Sequence, residues 1–239
     1  MNMRDQRVVV IGGTSGIGLA VARAAAAAGA RLSVASSRQE RVDAAVARLG
    51  GDATGRTVDV LDGASLDAFL RSSGEIDHLV YTAGGELSMM PIAGLDLDGA
   101  RDFFEVRYFG ALNAVHAALP HLATRASITL TSGTAADRPG AGWALGASVC
   151  GAMNSFTKAM ALELAPVRVN AVAPGVTRSP LWSGMSETDR EAMYDNLGKA
   201  LPVGRVGDVE DAAAAYLYCM TQPYTTGTVL TVDGGALLV

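Results

Sequence analysis

Val8-Val9-Val10-Ile11-Gly12-Gly13-Thr14-Ser15-Gly16-Ile17-Gly18 is an apolar run of strand length that breaks into glycines and then enters an alanine-rich helix. Strand, turn and helix in that order make a site for a nucleotide phosphate. Gly12 lets the chain turn tightly off the strand, Gly16 lets backbone approach a pyrophosphate, and Gly18 lets helix and strand pack closely. The helix then aims its N-terminal amides at the anion. Glycines alone are equally consistent with a plain loop; the flanking strand and helix carry the reading.

Working outward, the 239 residues are 49% apolar, enough to bury one large core, so a single domain over 1–239 is expected. No internal repeat or linker-like stretch interrupts it. The net charge of −5 and pI near 5.2 give no electrostatic footprint for nucleic acid or an anionic membrane, leaving a small-molecule substrate. Cys150 and Cys219 stand without a CxxC or a His/Cys cluster, which argues against a disulfide framework and a metal site and fits a reducing cytoplasm. Met1 to Arg7 leads into an apolar run too short for a signal segment, and Arg23 interrupts the run Ala20 to Ala30.

Ile17, Ala20, Val21, Ala24 and Ala28 recur at helical spacing, Gly29 ends that helix, and Arg31 to Ala35 reads as a second strand. At its tip, Ser36-Ser37-Arg38 offers two hydroxyls and a guanidinium where an NAD-selective site places an acid. Such a set suits a ribose 2′-phosphate, hence NADP(H), because arginine makes charge-assisted bonds to phosphate. The alternative is a solvated helix start with Ser37 as N-cap. Arg41 to Leu49 reads as a helix and Thr57 to Val60 as a third strand. Asp59 at its end is placed either to accept from an adenine amino group or to serve as a loop carboxylate. Asp62 to Ser72 (helix) and Ile76 to Tyr81 (strand) follow, then a second glycine turn at Thr82-Ala83-Gly84-Gly85 on the ligand side of the sheet.

Further on, Leu97 to Ala118 reads as one long helix, Ser127 to Ser132 as a strand, and Ala147 to Ala165 as a helix. Arg168 to Ala173 makes another strand ending in Pro174-Gly175. Val176 to Pro202 is less regular and is where a substrate lid is expected. Val209 to Met220 (helix) and Thr228 to Val232 (strand) close the chain before Asp233-Gly234-Gly235.

This pattern resembles the short-chain dehydrogenase/reductase family over essentially the whole chain. The resemblance rests on Gly12 to Gly18, Asp59-Val60, Tyr81-Thr82-Ala83-Gly84 in place of the family's Asn-Asn-Ala-Gly, Arg168-Val169-Asn170 with Pro174-Gly175, and Asp233-Gly234-Gly235. It implies an α/β fold, a single Rossmann-type three-layer domain with a seven-stranded parallel sheet, and a homodimer or homotetramer. The implied cofactor contacts are Gly12, Thr14, Ser15, Gly16, Ile17, Gly18, Ser36, Ser37, Arg38, Asp59, Val60, Ala83, Gly84, Pro174, Gly175 and Val176.

The family's usual reaction uses a Tyr-x-x-x-Lys, a serine thirteen residues before the tyrosine, and an asparagine on the preceding helix. Counting back from Glu163-Leu164-Ala165 and Arg168-Val169-Asn170 puts the tyrosine position at Gly146, the lysine at Cys150, the serine at Gly133 and the asparagine at Arg107. The chain's two lysines, Lys158 and Lys199, stand elsewhere; Lys158 lies about 12 Å along the helix from Cys150. Ser132 is one residue from the serine position, and a one-residue slip in a strand turns a side chain to the other face.

Three residues are then candidates for chemistry: Arg107, Asp137 and Ser132. Arg107 stabilises a developing oxyanion but, with a pKa above about 12, is no ready proton donor. Asp137, on the loop after the fifth strand, becomes a candidate acid if partly buried. A structural Arg107–Asp137 pair is the alternative. Trp143, Trp182 and Met185 are candidates for an apolar wall, and a tryptophan there can also face a cation, although such side chains more often serve simple packing. The function expected is NADP(H)-dependent reduction of a small, largely apolar carbonyl, enone or imine. A non-redox cyclase or isomerase, and a nucleotide-binding partner or sensor without turnover, are the competing readings.

Overall fold

The computed structural model describes residues 2–85, 87 and 91–239, which include every candidate residue named above. In chain order the elements are β1 (Arg7–Ile11), α1 (Gly16–Ala27), β2 (Arg31–Ser36), α2 (Gln39–Leu49), β3 (Thr54–Thr57), α3 (Gly63–Ser72), β4 (Ile76–Tyr81) and α4 (Leu97–Phe104). A π turn (Glu105–Phe109) leads into α5 (Gly110–Ala118), followed by β5 (Leu122–Thr131), α6 (Ala144–Glu163), β6 (Arg168–Pro174) and β7 (Thr177–Arg178). Last come α7 (Glu187–Ala200), β8 (Gly207–Asp208), α8 (Val209–Thr221) and β9 (Val229–Val232).

Seven strands form one parallel sheet in the order β3-β2-β1-β4-β5-β6-β9, and β7 pairs with β8 in a small second sheet. Helices cover both faces. The sequence of β1 explains why: Val8 and Val10 enter the core under α1 and α8, while Val9 and Ile11 enter the core under α3, α5 and α6. A strand apolar at every position is what a sheet buried on both faces needs. The order turns back between β1 and β4, so their carboxyl ends open a crevice at that switch point, where open α/β sheets bind ligands.

Four local readings change. The third strand is Thr54–Thr57 rather than 57–60, because this polar edge strand pairs Ser33–Ser36 of β2 while Val58 and Val60 tuck into the core beyond it. Asp59 therefore lies in a loop, exposed, with its carboxylate accepting from the Leu61 amide at 2.9 Å. The helix expected over 97–118 is broken by the π turn, which rotates the apolar stripe so that Phe103 and Val115 are buried but Leu112 is exposed. Within the irregular stretch 176–202 stands a fourteen-residue helix, α7, whose N-cap Ser186 exchanges hydrogen bonds with Asp189. That Ser-x-x-Asp pair was its sequence signal. Among the described residues, no helix is long and apolar enough to cross a membrane.

Candidate active site

The glycine turn sets the geometry of the crevice. Gly12 has φ +87°, and a Cβ there would stand 2.5 Å from the Ala83 amide nitrogen; one on Gly18 would collide with the Gly12 carbonyl oxygen and Thr82 Oγ1. These two glycines let the β1–α1 turn lie against the end of β4, where the Thr82 amide donates to the Ile11 carbonyl at 2.8 Å. Gly16 is different: its φ is +52°, and the nearest atoms to a Cβ are Pro180 Cδ at 3.5 Å and Ser179 Cβ at 3.8 Å. Ser15 occupies the N-cap of α1 with no side-chain bond to the helix amides, so the first turn of α1 keeps its donors for an anion. A dinucleotide pyrophosphate fits this cradle. Ser179 and Pro180, which face it, were missed in the sequence because no spacing rule ties them to the turn.

The tip of β2 also fits a phosphate. Ser36 is half-buried, while Ser37 and Arg38 are exposed, and the N-cap of α2 is Arg38 rather than Ser37, again without a side-chain cap. Among the described residues Arg38 has no ion-pair partner. On the far side of the crevice Gly175 is pinned to β9 through the Val232 carbonyl, and the Val176 carbonyl accepts from Gly207. Pro174-Gly175-Val176 thus run along the sheet edge as a fixed rim.

At the reacting end, Arg107 sits in the π turn, a feature common at functional sites. Its guanidinium donates to the Gly85 carbonyl at 2.6 Å and lies 3.9 Å over the Phe103 ring. It is near enough to Cys150 and Tyr81 to interact with both, and burial draws its pKa below the ordinary arginine value. Cys150 Sγ stands 3.1 Å from where a Gly133 Cβ would be, so the two positions that counting along the sequence assigned to the family's serine and lysine lie together. Burial pushes that thiol up to about 11; the Ser132 hydrogen bond and Arg107 pull it back, and Asp137 adds to the rise. Cys150 is therefore a neutral thiol near pH 7.

Asp137 is exposed, not partly buried as the acid role supposed, and it is not among the charges acting on Arg107. The structural Arg107–Asp137 pair is thus not formed; each acts on Cys150 separately. Ser132 Oγ lies 2.6 Å from Asn154 Oδ1 and 3.2 Å from the Cys150 carbonyl, and its single proton is shared between them. Asn154 went unnoticed because only the fold brings it to β5. Trp143 and Trp182 do meet, with ring centroids 6.2 Å apart, and Trp182 Nε1 is fixed on the Thr177 carbonyl at 3.0 Å. Met185 is half-buried one turn on, its amide bonded to the Trp182 carbonyl. Among the described residues no group of His, Cys, Asp or Glu is arranged to hold a metal ion.

Known proteins match this chain over nearly their full length. The model of the SDR-like Rossmann domain family matches residues 2–239. The short-chain dehydrogenase/reductase ucsE of an Acremonium species is 39% identical, covering 99% of this chain and 97% of its own. The structure of the MalC reductase/Diels-Alderase from Malbranchea aurantiaca superposes with a TM-score of 0.92 at 30% identity, covering 99% of this chain and 98% of MalC. A small-chain dehydrogenase in complex with NADPH superposes with a TM-score of 0.83 at 33% identity, covering 98% and 100%.

Proposed function

Because the chain belongs to the short-chain dehydrogenase/reductase family, we propose that it is an NADP(H)-dependent oxidoreductase acting on a small, largely apolar carbonyl, enone or imine. The NADPH complex of its structural neighbour supports the cofactor, as do Ser36, Ser37 and Arg38. We assign Gly12, Thr14, Ser15, Gly16, Ile17 and Gly18 to the pyrophosphate, and Ala83, Gly84, Pro174, Gly175 and Val176 to the crevice rim. Asp59 and Val60 take the adenine side. Bound along this edge, a reduced nicotinamide supplies hydride.

The observation that carries the reading of the chemistry is a half-buried cation, Arg107, close enough to Cys150 to interact with it. Its charge stabilises an oxygen that becomes negative, and it gives that oxygen no proton. A ketone leaves an alkoxide, a strong base that needs a matched acid, and Ser132 shares its proton with Asn154 and the Cys150 carbonyl. An iminium ion is repelled by Arg107. An enone, reduced at the carbon remote from its oxygen, leaves an enolate, a far weaker base that takes its proton from water relayed by exposed Asp137. The enone therefore fits this set of side chains best. Trp143, Trp182 and Met185 wall off the apolar part of the substrate, and 176–202 is its lid.

The test follows absorbance of reduced nicotinamide with cyclohex-2-enone, cyclohexanone and 1-pyrroline. Expected is oxidation of NADPH with the enone, slowed about a hundredfold or more in Arg107→Met with NADPH affinity unchanged. Arg38→Ala weakens NADPH and leaves NADH as it was. Tight NADPH binding with flat absorbance for all three compounds would remove the redox reading. The second reading, a non-redox cyclase, would then stand, supported by the reductase/Diels-Alderase description of MalC and by the tryptophan wall. We also propose a homodimer or homotetramer through α4, the π turn, α5 and α6, which expose Leu97, Phe109, Leu112 and Leu162; sedimentation of the same preparation as a monomer would count against it.

A further inference from the structure

Tyr81 replaces the first residue of the family's Asn-Asn-Ala-Gly, and none of the assignments above uses its side chain. That side chain is buried at the end of β4, 1% exposed, and its hydroxyl donates to the carbonyl oxygen of Val106. Val106 lies in the π turn, one residue before Arg107. There the Gly110 amide reaches back five residues to the Glu105 carbonyl, and a wide turn of this kind slips the α-helical ladder so that a carbonyl is passed over. The Val106 carbonyl is met by a side chain from the sheet instead.

Two further features fit the hydroxyl to its place. A Cβ at residue 110 would collide with it, and Gly110 leaves that space open. The Tyr81 backbone is anchored as well, its carbonyl accepting from Thr131 Oγ1 at 2.7 Å, with Thr131 in turn 2.6 Å from the Tyr216 hydroxyl. Arg107 closes the ring by donating to the Gly85 carbonyl, four residues beyond Tyr81. Strand end, π turn and glycine loop are thus joined by two hydrogen bonds through adjacent residues of one helical turn.

We propose that Tyr81 is a positioning residue: by donating its hydroxyl to the Val106 carbonyl, it holds open the π turn that presents Arg107 to the Cys150 end of the crevice. Arg107 does the electrostatic work and Tyr81 sets where it stands. The assignment does not depend on hydride transfer.

Cys150 supplies a reporter, since it is half-buried and Cys219 is buried. The charged and polar groups acting on its thiol are Arg107, Asp137 and Ser132. Alkylation by iodoacetamide at about pH 8.5 tracks the thiolate fraction. Arg107→Met is expected to slow it about threefold or more, half a pKa unit's worth. Tyr81→Phe is expected to slow it to the same extent, and the double variant to be no slower than Arg107→Met alone. Loosened packing by itself exposes Cys150 and speeds the reaction, so a Tyr81→Phe rate at or above wild type overturns the proposal. An unchanged rate in Arg107→Met overturns it too, because the turn then presents nothing to Cys150. Where Tyr81→Phe fails to fold, Gly110→Ala displaces the hydroxyl while keeping the tyrosine; the same slowing supports the assignment, and a rate at or above wild type overturns it. NADPH titration checks each variant's fold.

Discussion

Two pairs of glycines separate the cofactor-binding half of the crevice from the reacting half. Gly12 and Gly18 are glycines because nothing else fits: a Cβ on either runs into backbone of the β1–α1 turn or of the β4 end. Gly133 and Gly146 are under no such constraint. Gly133 is extended, with φ −171°, and a Cβ there meets only Cys150 Sγ at 3.1 Å and Pro174 O at 3.8 Å. One on Gly146 meets only the Trp143 ring, at 3.5 Å. The first pair is imposed by packing. At the second the nearest atoms to a Cβ are side-chain atoms of Cys150 and Trp143, which can give way where backbone cannot.

The same substitution should therefore have opposite consequences in the two halves. Gly18→Ala forces its methyl against the Gly12 carbonyl and Thr82, and is expected to cost more than about 3 kcal/mol and to abolish NADPH binding. Gly146→Ala, inside α6, removes a flexible residue from a helix and is expected to stabilise by about 0.5–1 kcal/mol while leaving NADPH binding intact. Urea midpoints and a fluorescence titration read both. Equal losses at the two positions would erase the distinction.

The distinction also explains what was legible in the sequence. The cofactor half is built from consecutive residues, Val8 to Gly18, whose apolar run, glycines and helix can be read in a line, and the seven-stranded sheet followed from repeating that unit. The readings of Gly146 and Cys150 at the family's tyrosine and lysine positions also came from the sequence alone, by counting a register. Arg107 and Ser132 could be named there too, but Asn154 could not, nor could the convergence of Arg107, Cys150, Ser132 and Asn154 from three separate elements. The π turn was hidden for another reason. Its apolar residues keep helical spacing, and the hydroxyl that holds it open comes from Tyr81, 25 residues earlier in the chain. The acid role of Asp137 depended on partial burial, which the structure does not give it, and nothing local in Ala136-Asp137-Arg138 reports the exposure of a loop.

At the opposite edge of the sheet the two halves are joined through one side chain. His78, on β4, is 5% exposed, with Nδ1 2.8 Å from Ser127 Oγ on β5 and Nε2 3.2 Å from Gln6 Oε1 just before β1. Burial lowers its pKa to about 4; Asp77 opposes that shift and Arg168 adds to it. The unfolded chain, titrating near 6.5, binds the proton more readily, so stability is full above about pH 6.5 and is lost as pH falls toward 4. The loss is of order 3 kcal/mol. His78→Gln should flatten the urea midpoint between pH 7 and 4.5 relative to wild type, where the carboxylates contribute equally to both proteins. Parallel slopes would mean that His78 is protonated in the folded state.

The smallest effect tests whether the reacting half carries polarity for structure or for nothing. Below the crevice, β5 directs Ser127, Thr129 and Thr131 toward the α8 side; Ser127 holds His78, and Thr131 Oγ1 bridges the Tyr81 carbonyl and the Tyr216 hydroxyl. Thr129, fully buried between them, has a hydroxyl with no hydrogen-bond partner among the described residues. An unpaired buried hydroxyl costs about 1–3 kcal/mol, while a paired one contributes about 1 kcal/mol. Valine has the same branched shape without the oxygen. Thr129→Val should therefore stabilise by about 1 kcal/mol, and Thr131→Val, two residues along the same face, should destabilise by about 1–2 kcal/mol. The opposite signs are the informative result. If both destabilise, Thr129 is bonded to a buried water and the whole column is structural; if they differ as expected, only the residues tied to Tyr81 and His78 serve the fold.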